Sequence, residues 1–208
     1  MNIPDKIRTQ ITTILAVLLL SFTSNSFSQC VIAGYPFYGN PMDTTTSAFH
    51  GIAVGANLVS DCEGSIDSAY AFDGIDDYIE LNNNNPIITS SEFSVHIKAK
   101  ILGSGGGVDG SLPLFSQRDD VTTSGNSIVN MFAQNSSGNI QFNIRGSSSS
   151  TGDHLFYPTP TDGDWHCYTG TLGFDDTLRL YLDGVEVAKM KSTQTGDFSS
   201  SIDHVEIG

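Results

Sequence analysis

Ala69-Tyr-Ala-Phe-Asp-Gly-Ile-Asp-Asp-Tyr-Ile-Glu-Leu81 sets two short runs of aromatic and branched side chains on either side of an acidic glycine turn. Ala69 to Phe72 and Tyr78 to Leu81 have the composition of strands, and Asp73-Gly74 with Asp76-Asp77 supplies the turn chemistry between them. The period is two, so the segment reads as sheet. Further along, Phe93, Val95, Ile97, Ala99 and Ile101 alternate with Ser94, His96, Lys98 and Lys100, which predicts a strand with one dry and one wet face. Ile140, Phe142 and Ile144 repeat the pattern, as do Leu178, Leu180 and Leu182. Asp183-Gly184 then predicts a two-residue hairpin turn, because both central residues must accept positive φ. Turn-forming stretches at 82–86, 103–110, 147–152 and 158–164 separate these runs, and no segment sustains a helical period. The expectation is an all-β sandwich of about a dozen strands.

The N-terminus has a different character. Lys6 and Arg8 precede an apolar run from Ile14 to Leu20, and small residues lie near Ser28. Residues 1–28 read as a secretory signal peptide, since the apolar run falls short of the roughly 20 residues a bilayer needs. A lipoprotein anchored through Cys30 is the alternative. Without those residues the chain keeps seven basic and 22 acidic side chains, a formal charge of −15 (9 − 2 = 7; 23 − 1 = 22). Such a surface repels phosphate, so nucleic acid is not an expected partner. No second candidate for a transmembrane segment is present. Residues 29–208 suffice for one domain with a substantial core.

The quoted stretch resembles a segment of laminin-G-like domains, the concanavalin A-like jelly rolls of bacterial secreted and surface proteins. Three further segments resemble that family in order: residues 34–40 with Asp43 and His50-Gly51, residues 93–100, and Asp164-Trp-His166 leading to residues 178–185. The resemblance implies a jelly-roll β-sandwich of two antiparallel sheets, exported to the medium or the cell surface. Family members continue for a few more strands than this chain, which implies truncation at the C-terminus. A first strand around Tyr35 and Phe37 would then be left as an open edge.

The resemblance also implies candidate sites. Calcium is the expected cofactor, with Asp43 as its ligand, because hard cations take rim carboxylates and backbone carbonyls. The family's glycine-containing run is replaced here by Thr44-Thr-Thr-Ser47, and a turn-capping role for Asp43 is the competing reading. Asp73, Asp76 and Asp77 are expected to satisfy backbone amides. Of the three cysteines, Cys30 and Cys62 are expected at one end of the domain and paired, closing a loop that contributes about 3–4 kcal/mol. Cys167 is placed in a core strand, and three unpaired thiols are the alternative.

Paired carboxylates at glycosidase spacing are missing, as are nucleophile-elbow, zinc-protease and phosphate-loop motifs. The functional expectation is a non-catalytic binding module that contacts glycans or extracellular proteins through rim loops. Tyr38, Tyr157, Trp165 and Tyr181 are possible stacking platforms, Trp165 being expected in the core, and Asn82 to Asn85 possible amide donors. The competing readings are an accessory domain of a polysaccharide-degrading enzyme and a structural adhesin spacer.

Overall fold

Phe142 lies on the inner face of one sheet and Gly170 on the inner face of another, and the sandwich closes where they meet. In the computed structural model, residues 31–103, 110–119, 128–134, 136–147, 149, 151–194, 197–199 and 202–208 are described. The expected signal peptide and Cys30 lie outside them. Ile32–Gly208 forms one compact unit. Its strands are β1 (Gly51–Val54), β2 (Asn57–Val59), β3 (Ala69–Ala71), β4 (Tyr78–Leu81), β5 (Phe93–Lys100), β6 (Ser111–Arg118) and β7 (Ile128–Gln134). They continue with β8 (Asn139–Arg145), β9 (Asp153–Pro158), β10 (Trp165–Leu172), β11 (Thr177–Leu182), β12 (Val185–Lys191) and β13 (His204–Ile207). No α-helix occurs among the described residues; a single 3-10 turn covers Asn82–Asn84.

The strands assemble into a seven-stranded sheet ordered β1-β4-β13-β6-β7-β8-β9 and a four-stranded sheet ordered β12-β11-β10-β5. A two-stranded ribbon, β2-β3, stands beside them. All pairings are antiparallel. The expected concanavalin A-like jelly-roll sandwich is therefore the fold. Alternation works as the sequence indicates: along β5 every apolar side chain is half-buried and every polar one exposed. The Asp183-Gly184 turn has φ of 50° and 79°, the geometry its residue types demand.

Between the sheets, Val129, Met131, Ile140, Phe142 and Ile144 of the larger one face Tyr168, Leu172, Leu178 and Leu180 of the smaller. Phe93 packs edge-on against both Phe142 and Phe198, with ring centroids 6.4 and 5.5 Å apart. Gln117 is a polar exception on β6, fully buried. Its Oε1 accepts the amides of Ile87 and Ile88 at 2.8 and 2.9 Å, and its Nε2 donates to the carbonyls of Ile88 and Phe198 at 2.8 Å. All four amide valences are filled, so this polar group ties two irregular segments to the sheet without an unpaired buried atom.

Several expectations need correction. Residues 34–37 form no strand. Pro36 lacks an amide donor and Phe37 sits at φ 58°, so neither can extend a ladder, and the segment packs its rings instead. The edge strands of the larger sheet are β1 and β9. Cys167 is not a core residue, because inward positions on β10 are Tyr168, Gly170 and Leu172. Cys167, Thr169 and Thr171 face outward, and so by parity does Trp165, which was expected in the core. Tyr157, one of the possible stacking platforms, is half-buried against the core.

Replacement of Gly170 tests the closest point between the sheets. A Cβ there would lie 2.6 Å from three ring atoms of Phe142, which is itself fully buried. Gly170→Ala is expected to cost about 1–3 kcal/mol through overpacking. Urea unfolding should show a lower midpoint with an unchanged slope; an unchanged midpoint would mean that the sheets separate freely.

Candidate ligand pocket at the loop rim

A cavity of about 340 Å³ opens at one end of the sandwich, within the size range of small-ligand sites. Ile101, Leu102 and Gly103 enter it where β5 runs out, and Ala133 and Gln134 where β7 ends. Gly138 of the β7–β8 turn and Thr159, Pro160, Thr161 and Gly163 of the β9–β10 loop complete the wall. None of these residues is charged. The surface is apolar with a few hydroxyls, an amide and loop backbone, a lining that suits an uncharged ligand with both apolar faces and hydroxyl groups.

Hydrogen bonds fix the wall. The Gly138 amide donates to the Gln134 carbonyl at 2.8 Å, and the Thr159 amide to the Gly138 carbonyl at 2.9 Å. The Gln134 side-chain oxygen accepts from the Gln141 amide group and from the Ser137 hydroxyl. The β7–β8 turn and the β9–β10 loop are thereby joined across the cavity floor.

His166 holds the other end of that loop. Its Nδ1 lies 2.7 Å from Asp183 Oδ2, and its Nε2 lies 3.1 Å from both Asp162 oxygens. Asp183 Oδ1 also accepts the Cys167 amide at 2.8 Å. Hydrogen bonds donated by the ring to Asp183 and then to Asp162 raise the affinity of the imidazole for its proton, while its burial opposes them. Both carboxyls are held below the usual range: Asp162 by the Asp164 amide and then His166, and Asp183 by the Cys167 amide and then His166. The His166 ring therefore fastens the loop to the β11–β12 turn.

Asp43, the expected calcium ligand, is buried. Oδ1 accepts the amides of Gly34 and Thr45 at 2.9 and 2.8 Å. Oδ2 accepts the Thr45 hydroxyl and the Phe49 amide at 2.8 and 2.9 Å. A carboxylate has about four acceptor positions, and protein donors use four here. Burial by itself would push the carboxyl up, but these hydrogen bonds outweigh it and hold it below the usual range. A cation at Asp43 would have to displace those donors, so the donor set does not fit calcium.

The remaining candidates are dispersed. Asp73, Asp76 and Asp77 bring oxygen atoms within 4.8 Å of one another. Asp73 accepts the amides of Ile75 and Asp76, and Asp77 accepts that of Asp73, as the turn requires. Asn82 and Asn85 exchange side-chain and backbone hydrogen bonds, and Asn84 accepts the Val205 amide, so those amides brace the turn. Tyr38 is exposed, whereas Trp165 and Tyr181 are half-buried on the outer face of the smaller sheet. No described aromatic ring lines the cavity. Cys62 is exposed and has no disulfide partner among the described residues.

Asp153 went unnoticed in the sequence. Buried on β9, it accepts the Ser192 hydroxyl and the Thr193 amide and hydroxyl, which join the larger sheet to the segment after β12. Its spacing of about forty residues from those partners leaves no sequence signal.

Three measurements test these carboxylates and the imidazole. A histidine with a raised folded-state pKa contributes stability below its unfolded value, about 6.5, and that contribution fades as pH rises through the folded value. The melting-temperature gap between the wild type and His166→Gln should therefore be widest near pH 6 and narrow toward pH 9; a gap independent of pH would exclude the ionised bridge. Asp43→Asn leaves buried donors without acceptors and should cost about 2 kcal/mol above pH 5, where the carboxylate is ionised. Excess calcium and chelator should give the wild type equal melting temperatures, and a rise with calcium would return the metal to Asp43.

Residues 72–208 match the family described as the concanavalin A-like lectin/glucanases superfamily, in its laminin G form. No curated protein matched the sequence. The binding domain of botulinum neurotoxin serotype G superposes with a TM-score of 0.60 at 11% identity, covering 86% of this chain and 43% of that one. The serotype D ligand-binding domain, solved in complex with N-acetylneuraminic acid, gives 0.59 at 15% identity, with 80% and 39% coverage. The binding domain of Paraclostridial mosquitocidal protein 1 gives 0.54 at 11% identity, with 80% and 41% coverage. This chain thus spans about two fifths of those chains, and at such identities the likeness concerns the fold. With 137 of its 208 residues matched (72–208) and the sandwich topology in place, the chain belongs to the laminin G-type concanavalin A-like superfamily.

Proposed function

We propose that this domain is a non-catalytic binding module, exported to the medium or the cell surface, which takes a neutral sugar ring of a glycan in the rim cavity. The observation that carries the reading is the lining: apolar side chains beside hydroxyl, amide and loop-backbone groups, with no charged residue among the described ones. A pyranose presents an apolar face and a ring of hydroxyls, which such a wall complements. The serotype D neurotoxin domain, similar in fold, was solved with N-acetylneuraminic acid. An uncharged cavity in a strongly acidic chain favours neutral residues over that anionic one.

The rivals are an accessory domain of a polysaccharide-degrading enzyme and an adhesin spacer. The first shares the proposed binding step, and the second lacks it. A glycan array probed with the domain at pH 6 and pH 8 separates them. Neutral glycans should be retained, and Leu102→Glu or Thr161→Trp should weaken them at least tenfold, about 1.4 kcal/mol, without lowering the melting temperature. Leu102 is 76% exposed and Thr161 is also exposed, so neither change enters the core. Binding unaffected by both substitutions would move the site elsewhere, and an array without hits would favour the spacer.

A further inference from the structure

One polar side chain of the rim cavity has its orientation fixed from behind. Gln134 ends β7 and lines the wall. Its Oε1 accepts from Gln141 Nε2 on β8 and from the Ser137 hydroxyl, the latter at 3.2 Å. Both acceptor positions of that oxygen are thereby filled. The Gln134 Nε2 group makes no hydrogen bond to a described residue, so what Gln134 still offers is a donor alone.

Around this donor the wall divides by chemistry. Ile101, Leu102, Ala133 and Pro160 are aliphatic, and no described aromatic ring joins them, so the apolar contact suits a methyl group at least as well as the face of a sugar ring. Thr159 and Thr161 bring hydroxyls that bond to no described residue and that either donate or accept. Space is left where Gly103, Gly138 and Gly163 border the cavity, since a Cβ at any of them would find no heavy atom within 4 Å. Asp162 stands between Thr161 and Gly163, yet its carboxylate is turned to His166 and stays out of the wall.

We propose that the cavity selects an N-acetylated hexosamine from among the sugars, and that Gln134 is the residue that selects it; the inference rests on the cavity being a glycan site. An acetamido group is planar and carries an acceptor, a donor and a methyl. Its carbonyl accepts from Gln134 Nε2, its N–H donates to a threonine hydroxyl, and its methyl packs on the aliphatic wall. A plain hexose has a hydroxyl at that place, which accepts from Nε2 but leaves the aliphatic surface uncovered. A free amino sugar brings an ammonium group, which only donates, so it meets the Gln134 donor without an acceptor and finds no carboxylate in the described wall. A carboxylated sugar finds no cation there. One methyl more or less in an apolar contact changes affinity about tenfold.

The test titrates the full chain with N-acetylglucosamine, N-acetylgalactosamine, glucose and glucosamine at pH 7, and uses saturation-transfer NMR to find which sugar protons touch the protein. One of the two acetylated sugars should bind about tenfold more tightly than glucose, with glucosamine the weakest and the acetyl methyl the most strongly saturated group. Gln134→Glu keeps an oxygen toward Gln141 and Ser137 and puts an acceptor where the donor was. The preference for the acetylated sugar should vanish in this variant with no fall in melting temperature. Gly103→Val, whose side chain enters the open space rather than the core, should weaken the acetylated sugars and gives a readout independent of position 134. Equal affinity for glucose and the acetylated sugars, or an acetyl preference that survives Gln134→Glu, overturns the selection and leaves a glycan cavity in place. Binding by none of the four sugars overturns both readings.

Discussion

Everything in this molecule hangs on bringing two apolar sheet faces close enough to exclude water. At the centre, the Phe142 ring occupies the space that a side chain at position 170 would need, which makes the absence of a Cβ there a packing requirement. Around that contact, Phe93 and Phe198 meet ring edges, and leucines from β11 fill the spaces opposite isoleucines from β8. Burial at roughly 25 cal/mol per Å² makes this interface the main favourable term. The rim loops inherit their positions from it, since each is anchored at both ends to a strand whose register the core dictates.

Carboxylates form the second set of fasteners. Asp43 gathers donors from within nine residues of itself, whereas Asp183 and Asp153 collect theirs from segments more distant in sequence, all through hydrogen bonds between about 2.7 and 2.9 Å that favour the ionised form. Part of the acid excess of the chain is thus committed internally rather than displayed to cations. The same donors that lower the carboxyls make them effective staples at neutral pH and weak ones in acid. His166 works in the opposite sense, as an imidazolium that loses its grip as protons leave. The rim loop and the Asp43 turn accordingly respond to pH in different directions.

Much of the fold was legible because sheets write a period of two into the chain. β5, β8 and β11 emerge from alternation alone, and the β11–β12 hairpin from the residue types of its turn. Alternation fails where both parities carry small or amphipathic side chains. In Trp165-His-Cys-Tyr168, only pairing with β5 and β11 reveals that Tyr168 turns inward and Cys167 outward. It fails again at residues 34–37, whose aromatic content suggests a strand although Pro36 and the backbone of Phe37 prevent one. The cavity was illegible for a more general reason. Its wall combines strand ends with two loops, shares no residue type or spacing, and exists only because the core has fixed where those ends meet.

Charge placement completes this distinction between scaffold and site. Five of the seven Lys and Arg residues after position 28 face outward on the smaller sheet: Lys98, Lys100, Arg179, Lys189 and Lys191. Concentrated positive charge would ordinarily indicate a surface for phosphate or anionic glycans. Here Arg179 is held by Asp175 and Glu186, Lys189 by Glu186 at 2.7 Å, and Lys191 lies 3.5 Å from Asp176. These cations are spent on neighbouring carboxylates within a chain of large negative charge, so the face does not present free positive charge in proportion to its composition. Long-range electrostatics therefore gives anionic ligands little reason to approach. Selection falls to the uncharged cavity, where shape and hydrogen-bond geometry decide what stays, and where loop residues can change without disturbing the packing of Phe142 on Gly170.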